Sequence, residues 1–149
     1  MNRLSRPAAS SAEALKRMQV TRRRDTDPEI AVRRLLHAAG LRFRVDQAVL
    51  PGIRRRVDIV FAHARVAVFI DGCFWHCCPK HRTHPKANAN WWAEKLRTNQ
   101  VRDRDTNRRL AAAGWRVERI WEHEDPMRAA ARVASIVRAR LGSPRRSTE

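Results

Sequence analysis

Apolar residues recur along the chain at two periods, and the switches between them mark out its elements. Asp25-Thr26-Asp27-Pro28-Glu29 reads as a helix start. Asp27 is placed to cap, Pro28 suits the first helical position, and Glu29 complements the positive end of the dipole. Ile30, Leu35 and Leu36 supply much of the buried stripe, Arg33 and Arg34 face outward, and Gly40 stops the helix. Leu41 to Val45 then alternates apolar and basic residues, the period of a half-buried strand. Leu50-Pro51-Gly52 makes a turn. Val57 to Ala62 and Val66 to Asp71 form a hairpin across His63-Ala64-Arg65. A long helix begins at Asn88 to Asn90, runs through Trp91, Trp92, Leu96, Val101 and Leu110, and ends before Gly114. Trp115 to Trp121 alternates again. Asp125-Pro126 restarts a helix whose stripe is Val133, Ile136, Val137 and Leu141, closed by Gly142. The order predicts an α/β fold, a mixed sheet flanked by helices.

Charge adds the partner. Thirty-two Lys and Arg against fifteen Asp and Glu give a formal charge of +17 over 149 residues, enough chain for one domain with a real core. Such an excess predicts a polyanion, most simply nucleic acid. No stretch approaches the ~20 apolar residues of a membrane span, and no apolar h-region follows the basic N-terminus. A cytoplasmic, nucleoid-associated protein is expected. Residues 1–24 read as a basic flexible arm, 25–142 as the folded domain and 143–149 as a polar tail. Met18, between Lys16-Arg17 and the run Arg22 to Arg24, is placed to touch bases from that arm.

The stretch Phe69 to His81 carries the chemistry. All three cysteines fall within residues 73–78, a poor disulfide framework and a good metal-ligand set in a reduced compartment. Cys73, Cys78 and His81 have the spacing C-x4-C-x2-H, with His123 as the inferred fourth ligand of a structural zinc. Cys77 and His84 are rival ligands, and reduced packing cysteines are the plain alternative. Asp58 lies inside an apolar strand, where a carboxylate is costly unless neutralised or bound to a cation. Asp71 ends the neighbouring strand. Two such acids suit Mg²⁺, which neutralises charge at a scissile phosphate, and His76 has the pKa to take a proton from water. Phe74 and Trp75 sit in the Gly/Cys loop, and Trp92 opens the long helix. An exposed aromatic on a basic protein is a natural wedge between base pairs, and a mismatched step lowers its cost. Lys95, Asn99 and Asp103 fall at i, i+4 and i+8 on one polar helix face, which also suits a merely solvated surface.

Asp-Gly-Cys-Phe-Trp-His at 71–76 resembles the signature of the very-short-patch repair (Vsr) mismatch endonucleases. Met18, Asp25-Thr26, Leu50-Pro51-Gly52 before Asp58, Trp92-x2-Lys95-x3-Asn99-x3-Asp103 and Gly114-Trp115-Arg116-Val117 leading to Trp121-Glu122 agree in order. The resemblance spans roughly residues 13 to 140. It implies a restriction-endonuclease-like fold that nicks DNA 5′ of the thymine in a T:G mispair left by 5-methylcytosine deamination. By that resemblance Asp58 is the metal-binding catalytic aspartate, the Ile70 carbonyl a further magnesium ligand and His76 a catalytic histidine acting through water. Glu29 and Asp103 match acids around the metal-bound waters. Phe74, Trp75 and Trp92 match intercalating aromatics, Met18 a minor-groove residue, and Lys95 and Asn99 the pair that contacts the mispaired bases. Cys73, Cys78, His81 and His123 fall at or near the zinc ligands. A monomer acting on T:G duplex DNA is expected, with mismatch-repair proteins as further partners.

The chain also departs from the best-known family pattern. That pattern has histidine where Asp71 stands, which makes Asp71 a candidate direct Mg²⁺ ligand, and no restriction-type lysine follows it. Histidine replaces other zinc ligands at 81 and 123, and Arg54 to Arg56 look inserted ahead of Asp58, where they would alter DNA contacts. Two other readings stand beside this one: a restriction-type endonuclease on matched DNA, and a non-catalytic zinc-stabilised DNA-binding module.

Overall fold

The computed structural model describes residues 25–73, 78–80 and 87–142. Met18, Phe74, Trp75, His76 and His81 lie outside the described residues, as do Cys77, His84, the arm and the tail. The elements are α1 (Asp27–Ala38), β1 (Arg44–Gln47), β2 (Val57–Phe61), β3 (Val66–Asp71), α2 (Ala89–Ala112), β4 (Arg116–Trp121) and α3 (Pro126–Gly142).

The four strands form one sheet in the order β1-β2-β3-β4. β1/β2 and β2/β3 are antiparallel, as the short connections require, while β3/β4 are parallel, with α2 as the crossover between them. The mixed sheet with flanking helices is the architecture expected from the alternating pattern. Ile59, Phe61, Val66, Val68 and Ile120 pack one face onto Val32 and Leu36 of α1 and Ala129, Val133 and Val137 of α3. Val57, Val60, Ala67 and Phe69 pack the other face onto Leu110 of α2. Each fully buried Val, Leu or Ile contributes about 1.5–3 kcal/mol, so two-sided burial of β2 and β3 makes them the rigid centre.

The glycines do what the sequence assigned to them. Gly40 (φ 83°) and Gly114 (φ 88°) adopt the left-handed conformation just past α1 and α2. Leu41 N–H to Leu36 O (3.2 Å) with Gly40 N–H to His37 O (3.0 Å) makes a Schellman end. Trp115 to Leu110 (2.9 Å) with Gly114 to Ala111 (3.0 Å) makes another. Arginines cover the next carbonyls: Arg138 donates to Ala39 (3.0 Å), Arg65 to Ala113 (2.7 Å) and Arg140 to Gly114 (2.8 Å).

Four local expectations are corrected. Asp27 is the first residue of α1, and Thr26 occupies the N-cap without a side-chain cap bond. The returning partner is Glu29, which accepts the Asp25 amide at 3.1 Å. Arg33 does not face solvent; its side chain is 16 % exposed and pairs with Asp25 and Glu29. Val101 is 59 % exposed, because the face of α2 that meets the sheet runs through Leu96, Thr106 and Leu110. Pairing also begins later than the alternation suggested: Leu41 is buried ahead of β1, which runs from Arg44.

Candidate functional site

Asp58 sits where the alternation of β2 breaks. Val57 packs on the α2 side and Ile59 on the α1/α3 side, although residues two apart in a strand should share a face. Between the flanking pairs Val45↔Ile59 and Gln47↔Val57, the neighbouring strand carries Asp46 at a positive φ of 53°. The carboxylate of Asp58 takes over a sheet donor, its Oδ2 accepting the Ile70 amide at 2.7 Å. Burial pushes the Asp58 carboxyl up; the Ile70 amide pulls it back, while the Glu29 and Asp71 charges push it further, to about 6.

The two acids that act on Asp58 each have a resident guanidinium. Glu29 is 4 % exposed and meets Arg33 at 3.0 Å, while Arg33 also reaches Asp25 at 2.7 Å. Burial still leaves the Glu29 carboxyl above the usual range, against the pull of Arg33. Asp71 is also buried, and Nη1 of Arg119 bonds both of its oxygens, at 2.9 and 3.1 Å. The same Nη1 lies 3.8 Å from Asp103. Among the described residues no cation forms an ion pair with Asp58, although the Arg33 charge acts on it through space and lowers its carboxyl. Carboxylate oxygens are the donors a hard divalent cation takes, and Glu29 and Asp71 lie near enough for their charges to raise the Asp58 carboxyl.

A different donor set lies just beyond. The parallel register ends at Asp71↔Trp121, so Cys73 and His123 each stand two residues past the paired ends. Cys73 is held by its amide on Glu122 (3.1 Å) and by its carbonyl accepting the Cys78 amide (2.9 Å). Nδ1 of His123 is then 3.1 Å from the Cys73 sulfur and 3.6 Å from that of Cys78. The three ligand atoms lie within 4.8 Å of one another, a possible metal site. Burial, then the adjoining Cys78, pushes the Cys73 thiol up to about 11. A thiol in that condition ionises at neutral pH only with a cation beside it, and soft sulfur with imidazole suits zinc.

The helix α2 carries the remaining residues. Lys95 is exposed, and Trp92 and Asn99 are half-buried, with Trp92 edge-on to Trp91 at 4.8 Å between ring centres. One turn further along the same face, Asp103 points toward Arg119, which donates to Asn107 at 2.8 Å. The polar face is therefore solvated only over its first half. Two of the inserted arginines bond the protein's own side chains, Arg55 half-buried and Arg56 at the surface. Arg55 bonds Asp105 and Thr106, and Arg56 bonds Asp46 at 2.8 Å. Sequence reasoning missed Arg33 and Arg119. The signal for Arg119 was its parity with Trp115, Val117 and Trp121 in an alternating strand; what was hidden is the pairing Phe69↔Arg119, which sets it diagonally beside Asp71.

The profile of the family described as DNA mismatch endonuclease Vsr matches residues 9–82. The chain is 47 % identical over 133 residues to the type II nicking enzyme V.NaeI of Lentzea aerocolonigenes, covering 88 % of this chain and 80 % of that protein. It is 43 % identical over 110 residues to the type II nicking enzyme V.XorIIP of Xanthomonas oryzae pv. oryzae, covering 72 % and 77 %. To the DNA mismatch endonuclease Vsr of Escherichia coli it is 40 % identical over 111 residues, covering 72 % and 67 %.

Proposed function

The chain belongs to the Vsr family of DNA endonucleases, and from that premise we propose that it nicks one strand of duplex DNA 5′ of the thymine in a T:G mispair. The observation that carries the hydrolytic reading is Asp58: an acid lodged in the sheet, held on the Ile70 amide, with acids around it and no ion pair among the described residues.

In this reading Asp58 and the Ile70 carbonyl hold Mg²⁺, which neutralises charge at the scissile phosphate. The Ile70 amide fixes one Asp58 oxygen and leaves the other for the cation. Arg33 orients Glu29 and opposes the rise that burial gives its carboxyl, and Glu29 with Asp103 would order water beside such a cation. His76 takes the proton of the attacking water. Phe74, Trp75 and Trp92 wedge the duplex open while Met18 enters from the minor groove, and Lys95 and Asn99 contact the mispaired bases. Cys73, Cys78, His81 and His123 hold a structural zinc that steadies the loop carrying the wedges.

End-labelled duplexes differing only in T:G against T:A test the specificity. The expected preference is at least about a hundredfold in nicking rate, roughly 2.7 kcal/mol of discrimination. Equal cutting would establish the restriction-type reading, and no product at any Mg²⁺ concentration would leave only a binding module.

Proton and cation compete for Asp58. Its carboxyl titrates near 6, so the charged form is lost as pH falls through that value. Lowering the pH from about 7.5 to about 5 is expected to raise the Mg²⁺ concentration for half-saturation roughly tenfold. Calorimetric titration showing the same midpoint at both pH values would remove Asp58 from the ligand set.

A further inference from the structure

Resting on the nuclease reading, we propose that Asp71 and Arg119 form a positioning pair that keeps Asp71 off the divalent cation and ties the base-contacting helix to the catalytic strand. Asp71 is committed geometrically: one guanidinium nitrogen bonds both of its oxygens, and the two side chains are 6 % and 20 % exposed. A divalent ion on the same carboxylate would sit against that guanidinium with little water between them to screen the repulsion. Asp58 offers the cation a carboxylate without that obstacle.

Arg119 is also held on its other sides. Its guanidinium lies 4.2 Å from the centre of the Phe69 ring, its Nε donates to Asn107 at 2.8 Å, and its Nη1 is 3.8 Å from Asp103. Phe69 and Asp71 flank Ile70 on β3, whose amide holds Asp58. Asp103 and Asn107 lie on α2, the helix of Lys95 and Asn99. Arg119 therefore joins the strand that orients the metal-binding acid to the helix that contacts bases. Displacing that helix changes the setting of the catalytic strand through this side chain, beside the apolar packing of Leu110 on the sheet.

The test measures Mg²⁺ binding by calorimetry and nicking by single- and multiple-turnover kinetics on the full chain. Asp71→Asn is expected to leave the Mg²⁺ midpoint within about threefold, whereas Asp58→Asn moves it more than roughly tenfold. Arg119→Met is expected to lower kcat about tenfold with KM within about twofold, and Arg119→Lys to recover most of that loss. The double variant Asp71→Asn/Arg119→Met should be no slower than the worse single variant. A tenfold rise in the Mg²⁺ midpoint on Asp71→Asn, or rate losses that multiply, would overturn the pairing. Should Arg119→Met fail to fold, Asp71→Asn and Arg119→Lys carry the same comparison. A parent protein that binds Mg²⁺ in this pattern yet nicks no duplex would refute the nuclease reading and leave the pair intact.

Discussion

Asp58→Ala is expected to lower single-turnover nicking of a T:G duplex by at least roughly a thousandfold while duplex binding is retained. The loss is large because, in the proposed reading, Asp58 is the acid that would hold the cation, and a neutral side chain there could not. Asp58→Asn sharpens the prediction. It keeps the shape and an acceptor for the Ile70 amide, and removes only the charge. The folded carboxyl is raised from its ordinary 3.8 to about 6. A raised carboxyl binds protons more tightly in the folded state, so its contribution to stability falls as pH rises from about 4 to about 6 and stays unfavourable above. Without Mg²⁺ at pH 8, Asp58→Asn should therefore melt higher than the parent protein although it is inactive. Nicking retained by Asp58→Ala would remove the catalytic assignment; a lower melting temperature for Asp58→Asn would mean that the carboxylate is a structural support.

The second large effect concerns the sulfur site. Elemental analysis is expected to find about one zinc per chain, and removal by a strong chelator to lower the melting temperature by at least roughly 10 °C. The reason lies in where the ligands sit. Cys73 extends β3 and His123 extends β4, so an ion held there would close the end of the sheet beside the acids. With the Cys73 thiol up at about 11 in the metal-free protein, binding releases protons, and affinity should fall as pH is lowered. Cys78→Ser should reproduce the effect of the chelator. A protein without zinc, or one that melts unchanged under chelation, would reduce these residues to packing thiols.

Much of this was legible in the chain, for identifiable reasons. Continuous apolar runs in Val57 to Phe61 and Val66 to Ile70 marked the hairpin because both strands are buried on their two faces, with only Asp58 and Ile70 partly exposed. Glycine at 40 and 114 marked the helix ends because both positions require a positive φ. Cys73 and Cys78 were legible from the C-x4-C-x2-H spacing, with His123 only an inferred further ligand; the structure brings these three together, and His81 lies outside the described residues. What did not show was pairing between charges. Arg119 shares the parity of Val117 and Trp121 where Arg116 does not, but nothing local names its partners: it lies over Phe69 and holds Asp71, while Arg116 is exposed against Glu118. Arg33 was hidden for a related reason. A basic residue on an amphipathic helix is ordinarily solvated, and only the fold places Asp25, Glu29 and Asp58 around it.

The arginines on the ends of α1 and α2 bear on how tightly the protein holds DNA in salt. Arg65, Arg138 and Arg140 keep full charge, but their guanidinium hydrogens are engaged by backbone carbonyls. Arg55 and Arg56 are likewise turned onto the protein's own acids. Counterion release on association follows the phosphates actually neutralised, at about 0.9 ion for each in duplex DNA, and not the net charge of the protein. The formal +17 therefore overstates the number of ions set free, because part of it is anchored as fixed charge within the fold.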